Sequence, residues 1–314
     1  MTRASRRKSH VSGCLVGFII FMLLTVGLGV AGYFYLQDSI QTTFEKIQTK
    51  EVSTEKIEMK RLQPAVAGKD PVSILLLGID TGDFGRVEQG RSDIMIVLTL
   101  NPNTKKASLT SIPRDTYAEI VGRPGKDKLN HAYAFGGMSM SANSVQKLLQ
   151  IPIDYVISVD MGGFTHIVDA LGGIEITPSE TFGQNGVSFQ EGVPQVMDGA
   201  TVLAYIRNRH TNKGDYGRQD RARQVLQATA NKAKNLESLT RLPELIGIVE
   251  DNLQTNLTFA EAQTLGFDVA EILKNVEMIS IKGETQIIDG IYYEVVSEDQ
   301  LAQIRNKLKE EMEL

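Results

Sequence analysis

From Gly13 to Leu36 the chain carries no charge and is dominated by Leu, Val, Ile, Phe and Gly. A run of this length spans a bilayer with some tilt. Polar sequence rich in Lys, Glu, Gln and Thr follows from Gln37 to about Ala67, with sparse apolar residues at Ile40, Phe44, Ile47 and Ile57. It reads as a stalk, and Gly68 to Pro71 punctuates its end. Short apolar runs then predict strands over Val72–Gly78, Ile94–Leu100 and Lys106–Ile112, the last two joined by an Asn101-Pro102-Asn103 turn as a hairpin. A helix over Ser139–Gln150, a strand over Ile153–Val159, a helix over Gly163–Ala170 and a strand over Ile174–Thr177 follow. Gly183 to Gly199 is glycine-rich and reads as a surface hairpin or loop. Helices are predicted over Asp198–Arg207, Arg218–Asn235, Leu242–Leu253 and Phe259–Leu273, then strands over Met278–Ile281 and Ile291–Val296, then a charged helix from Glu298. Strands and helices alternating in this way predict an α/β fold around a mixed sheet.

Charge gives the chain a direction. Arg3, Arg6, Arg7 and Lys8 place +4 before the apolar run, leaving −9 for the remainder of a chain of net −5. Basic residues on that side, with Tyr33 and Tyr35 at the far end, orient the N-terminus toward the cytoplasm and the body outside. The sequence after the run, Tyr-Phe-Tyr-Leu-Gln-Asp, lacks a small-residue cleavage site, so an uncleaved anchor is favoured over a signal peptide. The organisation expected is a cytoplasmic tail over 1–12, a transmembrane helix over 13–36, a stalk over 37–70 and an extracellular domain over 71–314. An acidic, outward-facing body argues against a nucleic-acid partner. Cys14, the only cysteine, excludes an intramolecular disulfide and a cysteine-based metal cluster, and no histidine pair has zinc spacing.

The candidate chemistry lies at predicted strand ends. Asp80 ends the first strand and Asp93 precedes the second, so antiparallel pairing would bring both to one sheet edge. Paired carboxylates suit Mg2+, which takes one or two acidic ligands and completes its shell with water and phosphate oxygens. The alternative is structural, with Asp80 capping a turn and Asp93 paired to Arg91. Arg114 leaves the third strand behind Pro113, which fixes its direction, although a structural pair with Asp115 or Asp93 fits equally. The Gly122-Arg123-Pro124-Gly125-Lys126 stretch resembles a phosphate loop but has the wrong spacing; Lys128 just beyond could reach a phosphate or simply sit on the surface.

Arg207, Arg209, Arg218, Arg221 and Arg223 fall within seventeen residues. Such a cluster suits a polyphosphate, or else a solvated helix face. Helical phase puts Arg218 and Arg221 on the apolar stripe of Ala222, Val225 and Thr229, while Arg223 lies roughly 140° from Arg218 and faces solvent. An inward arginine needs an anion to offset its desolvation. Arg218 is read as opening its helix, so that the helix dipole adds to anion binding.

Taken in order, Leu75-Leu76-Leu77-Gly78-Ile79-Asp80, Arg91-Ser92-Asp93, Ser111-Ile112-Pro113-Arg114-Asp115, Lys128-Leu129-Asn130-His131-Ala132-Tyr133, Arg207-Asn208-Arg209 and Asp215-Tyr216-Gly217-Arg218-Gln219-Asp220-Arg221 resemble the LytR-CpsA-Psr family. The match covers roughly Pro71 to Ala230. The resemblance implies an extracellular α-β-α sandwich behind one transmembrane helix, held on the cell membrane. It implies transfer of a glycopolymer, such as wall teichoic acid or capsular polysaccharide, from undecaprenyl pyrophosphate to a peptidoglycan acceptor. By the same resemblance Asp80 and Asp93 hold Mg2+, with Mn2+ a possible substitute, and Asp80, Asp93 and Arg114 are catalytic. Arg91, Arg114, Lys128, Arg207, Arg209, Arg218 and Arg221 would bind the pyrophosphate, and the prenyl tail would lie in an apolar channel. The alternatives are a non-catalytic binder of polyprenyl phosphates or wall glycans, and a polyprenyl-pyrophosphate hydrolase.

Overall fold

Both faces of the first strands are apolar, and both are covered. Strand β1 (Val72–Asp80) pairs antiparallel with β2 (Arg91–Asn101), and β2 with β3 (Lys106–Ser111). Leu75, Leu77 and Ile79 of β1 and Met95 and Val97 of β2 share one buried cluster; Val72, Ile74, Ile96, Leu98 and Leu100 belong to another. The period-two alternation therefore separates two cores rather than a core from solvent, which is why these strands read as continuous apolar runs.

The computed structural model describes residues 38–43, 45–48, 65–80, 90–208, 211, 214–233, 247–248, 250–272 and 276–314. The predicted transmembrane helix over 13–36 and Arg209 lie outside the described residues. Among the described residues no helix is long and apolar enough to cross a membrane.

After β3 the chain makes a small hairpin of β4 (Tyr117–Glu119) and β5 (Lys126–Lys128), then enters helix α1 (His131–Leu149). This helix begins eight residues before the predicted Ser139, because Gly136 and Gly137 kink it without ending it; Gly137 has φ +61°. Strand β6 (Tyr155–Asp160) returns parallel to β1, and Asp160 caps α2 (Met161–Ala170) by accepting from the Gly162 and Gly163 amides. β7 (Ile174–Ile176) pairs with β10 (Gln195–Met197), and between them β8 (Phe182–Gln184) and β9 (Val187–Phe189) form a hairpin. Helices α3 (Gly199–Arg207) and α4 (Gly214–Ala233) follow.

The C-terminal part completes the same sheet. β11 (Leu253–Thr255) lies outside β6, α5 (Phe259–Ile272) precedes β12 (Val276–Ser280), and β12 pairs parallel with β3. The six-stranded order is β11-β6-β1-β2-β3-β12, a mixed sheet. A hairpin of β13 (Glu284–Ile288) and β14 (Ile291–Val295) leads to α6 (Glu298–Glu311). Residues of α1 and α6 cover one face of the sheet; Leu226 of α4 and Leu265 of α5 pack on the other. The layers are helix, sheet, helix.

One boundary moves. The compact unit begins at Thr43: Ile47 is buried, Gln48 bridges to Thr255 and Lys46 pairs with Glu250 at 2.6 Å. Residues 46–48 of the predicted stalk thus pack on the body.

Candidate active site

The carboxylates are placed by an irregularity in the β1–β2 ladder. Gly78 pairs with Ile94 and Ile79 with Ser92, so Asp93 is an extra residue with no partner opposite, and Asp80 lies across from the exposed Arg91. A bulge of this kind re-aims a side chain. Asp80 and Asp93 line one cavity of about 340 Å3 with Ile94, Met161, Gln184, Asn185, Ile206, Arg207 and Arg218.

Cations arrive from four places in the fold. Arg114, two residues past the start of the β3 exit, places Nη1 2.7 Å from Asp93 Oδ1 and Nε 3.3 Å from Asp115 Oδ2. Lys128, at the end of β5, holds the other Asp115 oxygen at 2.9 Å. Arg218 of α4 approaches Asp93 Oδ2 at 3.6 Å, and Arg207, the last residue of α3, approaches Asp80 Oδ1 at 3.8 Å. The result is a continuous charge network, Lys128–Asp115–Arg114–Asp93–Arg218, with the Arg207–Asp80 pair beside it. Its cations outnumber its carboxylates, which favours an anionic ligand. Carboxylates hold these forks in place, and guanidinium geometry suits phosphate oxygens as well as carboxylates.

The arginine cluster divides differently from its helical phase. Arg221 is inward, as phase predicts, but is fully buried: it pairs with Glu180 at 2.5 Å, donates to the Asn208 carbonyl and lies over the Phe182 and Tyr205 rings at 4.9 and 5.9 Å. Burial pushes its guanidinium pKa down and Glu180 opposes that shift. It does not line the charged cavity. Arg223, expected in solvent, is only 9% exposed; it donates to Ser111 Oγ at 3.0 Å, reaches the Ile279 carbonyl at 3.4 Å and pairs with Asp220. The reason is that the start of α4 is enclosed on both sides, by the β8 end on one and by the β3–β12 edge on the other. Arg218 does not open its helix either. α4 starts at Gly214, so Arg218 lies in the second turn and the helix dipole is not centred on it.

Further contacts behind these residues hold the arrangement. The Asn130 amide donates to the Arg114 carbonyl at 3.0 Å and Leu129 to Thr116 at 2.9 Å, fixing the start of α1 to the Arg114 segment. Glu294 of β14, 4% exposed, donates its backbone amide to the Asp115 carbonyl at 2.9 Å and accepts hydroxyl hydrogen bonds from Tyr216 at 2.9 Å and from Tyr292. Burial raises the pKa of Tyr216, reinforced by Glu294; Tyr292 is pushed up to about 12 by burial and then by its bond to Glu294. Asp115, Gln184, Asn185 and Glu294 escaped the sequence reading as functional residues. Asp115 is visible in the sequence as a partner of Arg114, and Asn185 falls in the Gly183–Gly199 stretch that reads as a surface hairpin or loop, but nothing local connects Gln184 or Glu294 to the strand ends.

A second, apolar cavity of about 180 Å3 is lined by Leu76, Gly78, Ile157, Phe164, Val225 and Leu226, among others. It shares Ile94, Met161 and Ile206 with the charged cavity.

The chain resembles known proteins over most of its length. The chain is 38% identical over 295 residues to an Enterococcus faecalis protein named polyisoprenyl-teichoic acid–peptidoglycan teichoic acid transferase TagU, covering 94% of each chain. The crystal structure of Bacillus subtilis TagU is 38% identical, with a TM-score of 0.64, over 78% of this chain and 98% of that one. A structure described as TagT bound to LIIa-WTA is 31% identical with a TM-score of 0.69, over 83% of this chain and 98% of that one. The model of the LytR_cpsA_psr family matches residues 33–310, and with that match across most of its length the chain belongs to the LytR-CpsA-Psr family.

Proposed function

We propose that this chain is a membrane-anchored phosphotransferase that moves a glycopolymer, with wall teichoic acid the foremost candidate, from undecaprenyl pyrophosphate to peptidoglycan. The observation that carries the reading is the pair of adjoining cavities, one rich in arginine and aspartate and one wholly aliphatic and aromatic, which share three residues. A lipid pyrophosphate has the same two parts in the same order. Relatives named as teichoic acid transferases support the choice of polymer.

Arg114, Arg207 and Arg218 bind and orient the two phosphates. The acceptor hydroxyl of muramic acid attacks the sugar-proximal phosphorus; the bond from that phosphorus to the bridging oxygen breaks, and undecaprenyl phosphate leaves. The hydroxyl proton passes to a base, and a phosphodiester joins polymer to peptidoglycan. Charge growing on the equatorial and leaving oxygens meets the preorganised guanidinium groups. Asp80 and Asp93 would hold Mg2+, or Mn2+ in its place, when both line the cavity with hard oxygen donors and leave the remaining positions to water and phosphate. The metal would supply further neutralisation of phosphate charge. The anchor over residues 13–36 would keep the domain at the outer membrane surface, where the lipid carrier is.

The test is product identity. Full-length protein given lipid-linked polymer and peptidoglycan is expected to yield a muramic acid phosphodiester after glycan digestion, with turnover lost on chelation and restored by Mg2+. Release of phosphorylated polymer without attachment would contradict transfer, and turnover indifferent to chelator would contradict the metal.

A further inference from the structure

The wall of the charged cavity includes two uncharged amides that phosphoryl transfer does not use. Gln184 and Asn185 stand at the tip of the β8–β9 hairpin. Asn185 and Gly186 form its two-residue turn with φ of 50° and 79°, the left-handed pair that Asn-Gly adopts in a type I′ turn. That accounts for the residue type at 185 but not for the direction of the amides. Asn208, buried and holding Arg221 through its carbonyl, donates from Nδ2 to Gln184 Oε1 at 3.0 Å. Gln184 in turn donates from Nε2 to Asn185 Oδ1 at 3.3 Å. Each amide orients the next, from the core to the exposed tip. Among the described residues Asn185 Nδ2 makes no hydrogen bond, so the relay ends in an available donor pair at the cavity wall.

The zones then run in a chemical order: apolar residues inside, guanidinium groups and carboxylates next, neutral amides at the exposed hairpin tip. Lipid, pyrophosphate and sugar follow one another in the same order along a lipid-linked glycan. We propose that Gln184 and Asn185 form a saccharide-reading subsite for the first neutral sugar on the pyrophosphate, donating to its hydroxyl or acetamido oxygens. Neutral amides suit this work, because a few oriented polar groups fix a ligand's pose and reject an analogue that leaves them unmatched. The proposal rests on the lipid-pyrophosphate reading above and adds a determinant of which lipid is preferred.

The experiment compares the full chain in detergent micelles with two probes, undecaprenyl pyrophosphate bare and the same lipid bearing one N-acetylhexosamine. The wild type is expected to prefer the glycosylated probe by about tenfold, the value of roughly one or two neutral hydrogen bonds. Asn185→Gly keeps the left-handed turn and removes the donors, so the preference is expected to fall toward one. Gln184→Leu, which cuts the relay at similar size, is expected to reduce it as well. A preference unchanged in Asn185→Gly overturns the subsite. A wild type that binds both probes equally overturns the subsite while leaving the pyrophosphate reading intact. Binding of neither probe overturns both.

Discussion

An arginine in this fold takes one of two roles, and its partner decides which. Arg114, Arg207 and Arg218 face carboxylates that line a cavity, whereas Arg221 is locked between Glu180, a backbone carbonyl and two rings. Removing one member of a buried pair leaves the other charge uncompensated and costs about 3–5 kcal/mol. Arg221→Ala is therefore expected to lower unfolding stability by that order in urea denaturation, whatever it does to activity. The Arg207 side chain is 35% exposed, and its pair with Asp80, at 3.8 Å, is worth about 0–1 kcal/mol. Arg207→Ala should leave the unfolding midpoint close to wild type and still impair transfer, by about a hundredfold. Equal destabilisation by the two substitutions would contradict this division. Helical phase puts Arg218 and Arg221 inward, where they lie, but puts Arg223 in solvent, where it does not. It could not tell a cavity from a core, nor see that the supposed solvent side of α4 meets the β3–β12 edge, because phase carries no information on what a neighbouring element brings.

Among the elements, the β1–β2 pair decides most. Its bulge places Asp93, and Gly78 opposite Ile94 leaves room where the two cavities meet. A Cβ at Gly78 would stand 3.0 Å from Ile94 Cβ and 3.1 Å from Met161 Sδ. Gly78→Val should therefore raise the KM for lipid substrate by about tenfold or more and destabilise by about 1–3 kcal/mol through overpacking. Unaltered KM would argue that the lipid lies elsewhere. The β13–β14 hairpin supports the site from behind: Glu294 joins the Asp115 segment to Tyr216, two residues before Arg218. Tyr292, raised from 10 to about 12, stays protonated where an unfolded tyrosine ionises. Its contribution to stability is thus complete below about pH 10 and disappears as pH rises through about 12. Glu294→Gln removes the carboxylate charge, so tyrosine absorbance should titrate at lower pH than in wild type; an unchanged titration would show that burial alone sets it. The strands were legible because both faces are apolar, and the bulge was not, since nothing in Arg91-Ser92-Asp93 marks which residue is skipped.

At the scale of the molecule, the strands that carry Asp80 and Asp93 lie inside a sheet whose two edges, β11 and β12, come from the C-terminal part. Alternation of strand and helix made the α/β class legible. The closing strands were predicted without their places in the sheet, because parallel pairing of β12 with β3 joins residues far apart in sequence. The buried Ile47 was likewise hidden inside a polar stretch. This architecture assembles Asp93 from β2, Arg114 from the β3 exit and Arg218 from α4 at one point, and the proposed transfer depends on that convergence. The most direct measurement is transfer of lipid-linked glycopolymer to peptidoglycan by full-length Asp93→Asn and Arg114→Ala proteins whose folding has been verified. Each is expected to lose transfer by about a hundredfold or more. Wild-type turnover in both would contradict it.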